Sequence, residues 1–335
     1  MKRGYNMWTE MIDGRTVHNF FEHIDSWRLE KEQKISTALS VLSGTEFKSN
    51  LSFPRNITFS LLQHTLYLAK RAAETNDVDL ANDALALWSL DESAFEPFLY
   101  NYDNATFLIV NSEYCKRATY NQNFNNNAYC ITHDIIKNAK QSLSNDYVEE
   151  ALKLISATHL LFFNELTGSV IINLDWRDLD DSTDSYTLTP LSGTVFTDWT
   201  ESPLRYAEAI LHESVHSWLN YYLMREEINV INTANSWYSP WRNTMRPALG
   251  IVHGTFAFSI VYHFYKRLSE GNGFNLLNDK QLKYCYDRTD YELSRLKQVE
   301  SSIIPALDEI GSENIKELLT TWYPGVKRFE IYKEG

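Results

Sequence analysis

Hydrophobic residues in this chain recur mostly three and four positions apart, the spacing of a single helix face. Val17, Phe20, Phe21, Ile24 and Trp27 form one such stripe, and Ile35, Leu39 and Leu42 continue it until Gly44 ends the run. Residues 58–74 and 80–90 predict two more helices, the second carrying Leu85, Leu87 and Trp88. Asn123 to Asn127 reads as a polar loop. Asp146 to Leu166 predicts one strong helix with Val148, Ala151, Leu152, Ile155, His159 and Leu160 on its apolar side, so His159 is expected as a core histidine.

The pattern changes after Gly168. Ser169 to Leu174 is a short β-branched run, expected as a strand, and Gly193 to Trp199 is a second. Between them, Asp175 to Ser185 carries five aspartates without the alternation and glycine of a calcium loop, and is expected as a solvated turn. From Ser202 onward the helical period returns. Ser202 supplies an N-cap hydroxyl, Pro203 suits the first helical position, and Leu204, Ala207, Leu211, Val215, Trp218 and Tyr222 recur at helical spacing. Arg246-Pro247 predicts another helix start, followed by a segment from Ala248 to Leu268 that is apolar almost all round and therefore central. The fold class expected is mainly α (α+β): a helical N-terminal half over 1–166 and a metal-binding half over 167–335 with a small sheet beside a pair of metal-binding helices. One continuous domain is the simplest organisation, since no repeat or low-complexity linker divides it.

Composition narrows the partners. The 335 residues carry enough apolar content for a large core, and the net charge of −13 argues against nucleic acid and anionic membrane as general partners and is compatible with a basic peptide without demanding one. No unbroken apolar run approaches the ~18 residues of a membrane span. The N-terminus has two basic residues with no apolar stretch behind them, so no secretory signal is read there. Cys115, Cys130 and Cys285 have no metal-type spacing and are expected as reduced thiols in a cytoplasmic protein; the Asn56-Ile57-Thr58 and Asn104-Ala105-Thr106 sequons then carry no meaning.

Chemistry concentrates at His212-Glu213-Ser214-Val215-His216. On a helix this spacing puts two imidazoles one turn apart on one face, where they can share a metal ion, with the glutamate on a neighbouring face. The competing reading is a pair of core histidines satisfied by backbone carbonyls. A catalytic metal needs at least one more ligand. Leu219 and Tyr222 stand where a metzincin would have glycine and a third histidine. Glu226 and Glu227 lie too soon after the motif to fold back on the same ion, and Glu270 sits against a Gly271-Asn272-Gly273 turn. His253, within the central helix and followed by Gly254, is the better candidate, and that glycine would let another backbone or a substrate come close. His263 is expected to be structural. His23-Ile24-Asp25 has facial-triad spacing but lies in a helical stripe rather than on a barrel strand.

Arg242 and Arg246 precede that central helix. A guanidinium beside a helix N-terminus suits a carboxylate, and charge and position make these two residues candidate receivers of the far carboxylate of a keto acid, the competing reading being an arginine that caps or salt-bridges locally.

At these residues the chain resembles the HExxH-domain proteins encoded beside ribosomally made peptide natural products, which are 2-oxoglutarate-dependent iron enzymes. The resemblance rests on Leu211 to His216, on Ser239-Pro240-Trp241-Arg242, and on Arg246-Pro247-Ala248-Leu249-Gly250-Ile251-Val252-His253-Gly254, and covers about residues 190–270. It implies iron(II), 2-oxoglutarate and oxygen as reactants, a precursor peptide as substrate, hydroxylation of a side-chain carbon, and His212, His216 and His253 as ligands. Glu213 would then support the ligands or join them. The alternatives are a zinc peptidase using Glu213 as general base, and a peptide-binding protein with a structural metal or none. In either enzyme reading the Gly193–Trp199 strand is a place where a peptide could pair.

Overall fold

The computed structural model describes residues 14–48, 51–119, 127–138, 145–228, 235–271 and 273–324. The fold is mainly α with a small mixed sheet. The chain forms two compact units, Arg28–Trp218 and Leu219–Gly335 together with Met1–Trp27.

The helices α1 (Gly14–Ser43), α2 (Arg55–Thr75) and α3 (Val78–Ala86) match the first three stripes. Gly44 follows α1 with φ +68°, the left-handed conformation that glycine adopts without a Cβ penalty. Asn123 to Asn126 lie outside the described residues, and Asn127 opens a strand.

The helix expected over Asp146–Leu166 is two helices, α5 (Asn145–Ala157) and α6 (Leu161–Thr167), preceded by the short α4 (His133–Asn138). His159 breaks the run with φ +57° and is exposed, so it is not the core histidine its position suggested. Histidine is among the residues enriched in that conformation, and apolar periodicity runs on through the break because both helices bury a face.

The sheet of the first unit contains β1 (Leu99–Tyr102), β2 (Ala105–Asn111), β5 (Val170–Arg177), β7 (Thr194–Thr200) and β6 (Ser185–Thr187), in that spatial order. Strands β2, β5 and β7 are parallel; β1 and β6 are antiparallel edges. Phe107–Val110, Val170–Ile172, Val195 and Phe196 are fully buried, as expected of parallel strands covered on both faces. The β2–β5 pairing joins residues from both sides of the expected 166/167 boundary. A separate hairpin pairs β3 (Lys116–Thr119) with β4 (Asn127–Cys130).

Strand β7, considered above as a peptide dock, has both edges used, by β5 on one side and β6 on the other. On that side of the sheet the outer edge belongs to β6, and no other described strand pairs with it. Buried His64 on α2 fastens this unit internally: its Nδ1 accepts the Ile131 backbone N–H at 3.0 Å, which leaves Nε2 protonated to donate to Thr194 Oγ1 at 2.8 Å. Strand β7 runs directly into α7 (Pro203–Arg225), with Pro203 at its first position and Ser202 Oγ accepting from the Arg205 N–H.

In the second unit the hairpin β8 (Trp237–Ser239) and β9 (Thr244–Arg246) leads into α8 (Ala248–Glu270), with Pro247 at the N-cap. Then come α9 (Asp279–Ile310), opened by an Asn278/Gln281 capping box and closed by left-handed Gly311, and α10 (Glu313–Trp322). Among the described helices α8 alone is long and apolar enough to cross a membrane by composition, yet 67% of its most apolar stretch is buried within the protein.

Candidate metal centre

The motif helix α7 is held by polar bonds to the sheet and to α6. Tyr206 donates to Asn173 Oδ1, midway along β5, at 2.8 Å. Behind the motif, Asn164 Nδ2 donates to the Ile210 carbonyl (3.1 Å) and to Ser214 Oγ (2.9 Å), and Thr167 Oγ1 donates to the Ser214 carbonyl (2.7 Å). Gly168 makes room for this cluster, because a Cβ there would lie 2.0 Å from Ser214 Oγ. Leu204, Ala207, Leu211, Val215 and Trp218 are buried, as their spacing requires. The rotation of α7 about its axis is therefore fixed, and with it the direction of the two motif imidazoles.

His212 and His216 are half-buried, their rings 4.5 Å apart at 89°. Their Nε2 atoms face each other at 3.0 Å. Without a metal this is a hydrogen bond from one neutral imidazole to the lone pair of the other. With metal–nitrogen bonds of about 2.1 Å, two nitrogens 3.0 Å apart subtend about 90° at the ion. Two imidazole nitrogens converging on one helix face are a donor pair that suits a transition metal, iron and zinc alike.

Glu213 points to the neighbouring face, as expected, and is buried. Its Oε1 accepts a hydrogen bond from Ser185 Oγ on β6 at 2.8 Å. The edge strand is itself fastened by Asp198, a buried carboxylate that accepts from the Asp175 N–H (3.1 Å), the Asp184 N–H (3.0 Å) and Arg177 Nε (2.7 Å). The aspartate loop is thus exposed at its side chains yet pinned at its backbone. Arg205 adds to this by donating to the carbonyls of Leu179 and Asp181. Neither Asp198 nor Ser185 was singled out from the sequence. A lone aspartate in a strand and a serine after an acidic run carry no signal until the strands are paired.

In the second unit, His253 lies half-buried in α8. Burial, and then the positive charge of Arg246, push its pKa down to about 4, so at neutral pH it is an uncharged imidazole with a lone pair to offer. Gly250 gives Arg246 room against this helix: a Cβ there would meet Arg246 Nε at 2.9 Å. Arg242 is also exposed, in the turn of the same hairpin. Neither guanidinium makes an ion pair among the described residues, although the chain is strongly acidic. Arg246, close enough to bear on His253, is the better placed of the two to receive a carboxylate.

Gly254 admits neither substrate nor backbone. A Cβ there would lie 3.2 Å from the Trp241 indole, which stacks on Phe258 at 4.8 Å and 5°. Trp241 Nε1 donates to Glu292 Oε2 at 3.0 Å, and Arg288 pairs with Glu292 Oε1 at 3.0 Å. This buried network fixes the hairpin on α8 and α9. His263 Nε2 lies 2.8 Å from the Trp322 carbonyl and donates to it, which makes that histidine structural as expected.

Among the described residues, one group of three ligand-type side chains has its atoms within 4.8 Å of one another: Asp83, His133 and Asp134, in the first unit. Asp83 Oδ1 accepts the Asp134 N–H at 3.0 Å, so it caps the first turn of α4, and His133 bonds its neighbour Asp134. Cys115, Cys130 and Cys285 are free thiols, and burial raises the pKa of each.

No protein-family model and no curated protein matches the chain.

Proposed function

We propose that the protein is an iron(II)- and 2-oxoglutarate-dependent oxygenase that hydroxylates a side-chain carbon of a ribosomally made precursor peptide. The observation that carries this reading is the convergence of the His212 and His216 Nε2 atoms, 3.0 Å apart on one face of the motif helix. His212 and His216 would hold the metal, with His253, an uncharged imidazole at neutral pH, as the third ligand expected from the sequence. Arg246, with Arg242 as the second candidate, would grip the far carboxylate of 2-oxoglutarate. When bound, the metal supplies the oxidative chemistry: oxygen, 2-oxoglutarate and a C–H bond become succinate, carbon dioxide and a C–OH group. The chain's own part is to hold the cosubstrate, orient the peptide and exclude water.

Glu213 has a positioning role in this reading. Its carboxylate holds Ser185, and through it the edge strand, against the motif helix. A second reading is favoured by one specific feature, an antiparallel edge strand beside the HExxH helix. That arrangement suits a zinc peptidase in which Glu213 is the general base on the attacking water. Anaerobic loading with iron(II) and 2-oxoglutarate, followed by oxygen, separates the two. Succinate and a peptide heavier by one oxygen atom are expected, whereas cleavage without 2-oxoglutarate marks the peptidase.

A further inference from the structure

We propose that the open edge of β6 receives an extended peptide segment carrying lysine or arginine, and that the aspartates of the 175–184 loop select it by charge. The inference rests on the peptide-modifying reading for the identity of the guest as a peptide, but its geometry stands apart from the metal chemistry.

The edge is free to pair. The Asp198 N–H donates to the Asp184 carbonyl at 2.8 Å, and the register pairs Ser185 with Thr197, Tyr186 with Phe196 and Thr187 with Val195. Antiparallel partners alternate between facing each other's backbone and turning away from it. Asp184 and Tyr186 therefore face β7, and the N–H and C=O groups of Ser185 and Thr187 point outward. Among the described residues no other segment bonds these outward groups. They offer a main-chain ladder to an extended guest.

The edge is also rigid. On one face the Tyr186 ring stacks on Phe196 at 5.0 Å and its hydroxyl donates to the Asn127 carbonyl. On the other, Ser185 is bonded to Glu213 in the motif. A guest pairing with Ser185 is thus one strand and one hydrogen bond from the motif helix, and the strand needs little further ordering to receive it.

The loop feeding this strand sets the charge. Asp178, Asp180 and Asp181 are exposed and form no ion pair among the described residues, while Arg205 bonds only loop carbonyls and leaves the carboxylates free. Leu179, 50% exposed, adds apolar surface to the loop on which the stem of a lysine or arginine side chain can lie.

Fluorescence anisotropy of labelled decapeptides with metal-free, full-length protein tests the proposal without any turnover. A peptide with lysine at alternate positions is expected to bind at least tenfold tighter than its glutamate counterpart. Binding should weaken as salt rises, and fall about tenfold when Asp178, Asp180 and Asp181 are all changed to Asn. Methylating alternate backbone nitrogens of the peptide, which leaves the protein intact, is expected to abolish binding. Equal binding of the two peptides, indifference to N-methylation, or self-association of the chain through this edge in ultracentrifugation would each overturn it. Selective binding without succinate formation sinks only the oxygenase reading; succinate formation without selective binding sinks only this one.

Discussion

Ser185 Oγ lies 2.8 Å from Glu213 Oε1, so a hydrogen bond joins the edge strand to the motif helix. Removing the hydroxyl takes a donor from a buried carboxylate, a loss of about 1.5–3 kcal/mol for a charged acceptor. Ser185→Ala is expected to lower the thermal midpoint by several degrees and to slow peptide turnover, with metal stoichiometry unchanged by elemental analysis. Glu213→Gln keeps an acceptor for Ser185. In an oxygenase it should retain succinate formation within about tenfold, whereas a peptidase would lose its base and nearly all activity.

Gly168 and Ser214 form the second coupled pair. A Cβ at 168 would lie 2.0 Å from Ser214 Oγ, inside a closely bonded polar cluster. Gly168→Ala is expected to destabilise the protein by about 2 kcal/mol or more in urea unfolding. Adding Ser214→Ala removes the struck atom, so the double variant should be more stable than the sum of the two single effects. Strict additivity in that cycle would show that the cluster does not set the seating of α7.

Gly250 separates function from stability. In a helix interior, Gly→Ala ordinarily stabilises by about 0.5–1 kcal/mol. Here the added methyl would meet Arg246 Nε at 2.9 Å and turn the guanidinium aside. Gly250→Ala is expected to leave the unfolding midpoint equal or higher while raising the half-saturating 2-oxoglutarate concentration by about tenfold, with Arg246→Ala raising it further. Arg242→Ala should have the smaller effect.

Acid stability follows from two structural histidines. Burial depresses His64 to about 3 and His263 to about 4, both below the unfolded value near 6.5. The unfolded chain therefore binds more protons in the interval between. Their contribution is fully present above about pH 6.5 and is lost as pH falls toward 3–4. Urea midpoints measured from pH 7.5 to 4.5 should fall steadily, and His64→Gln should flatten the descent.

The helices were legible because long amphipathic stripes are local signals: α1, α2, α7 and α8 lie where periodicity puts them. Strands β5 and β7 were readable as β-branched runs. Three-residue strands such as β6, β8 and β9 leave no periodic trace, since they are defined by partners distant in sequence. The break at His159 was invisible for a related reason, as one left-handed residue does not disturb an apolar pattern that both flanking helices continue. Within the site, the motif announced His212, Glu213 and His216. Ser185, Asp198, Trp241 and Glu292 act through contacts that only folding creates, and Gly254 proved to serve the Trp241 indole rather than an incoming guest.

The most direct test of the central claim is oxygen-dependent succinate formation from 2-oxoglutarate by tag-free protein loaded anaerobically with iron(II). The account expects one iron per chain and succinate from the wild type, with both lost in His212→Ala, His216→Ala and His253→Ala. No succinate from iron-loaded protein, together with peptide cleavage by zinc-loaded protein lacking 2-oxoglutarate, would contradict it.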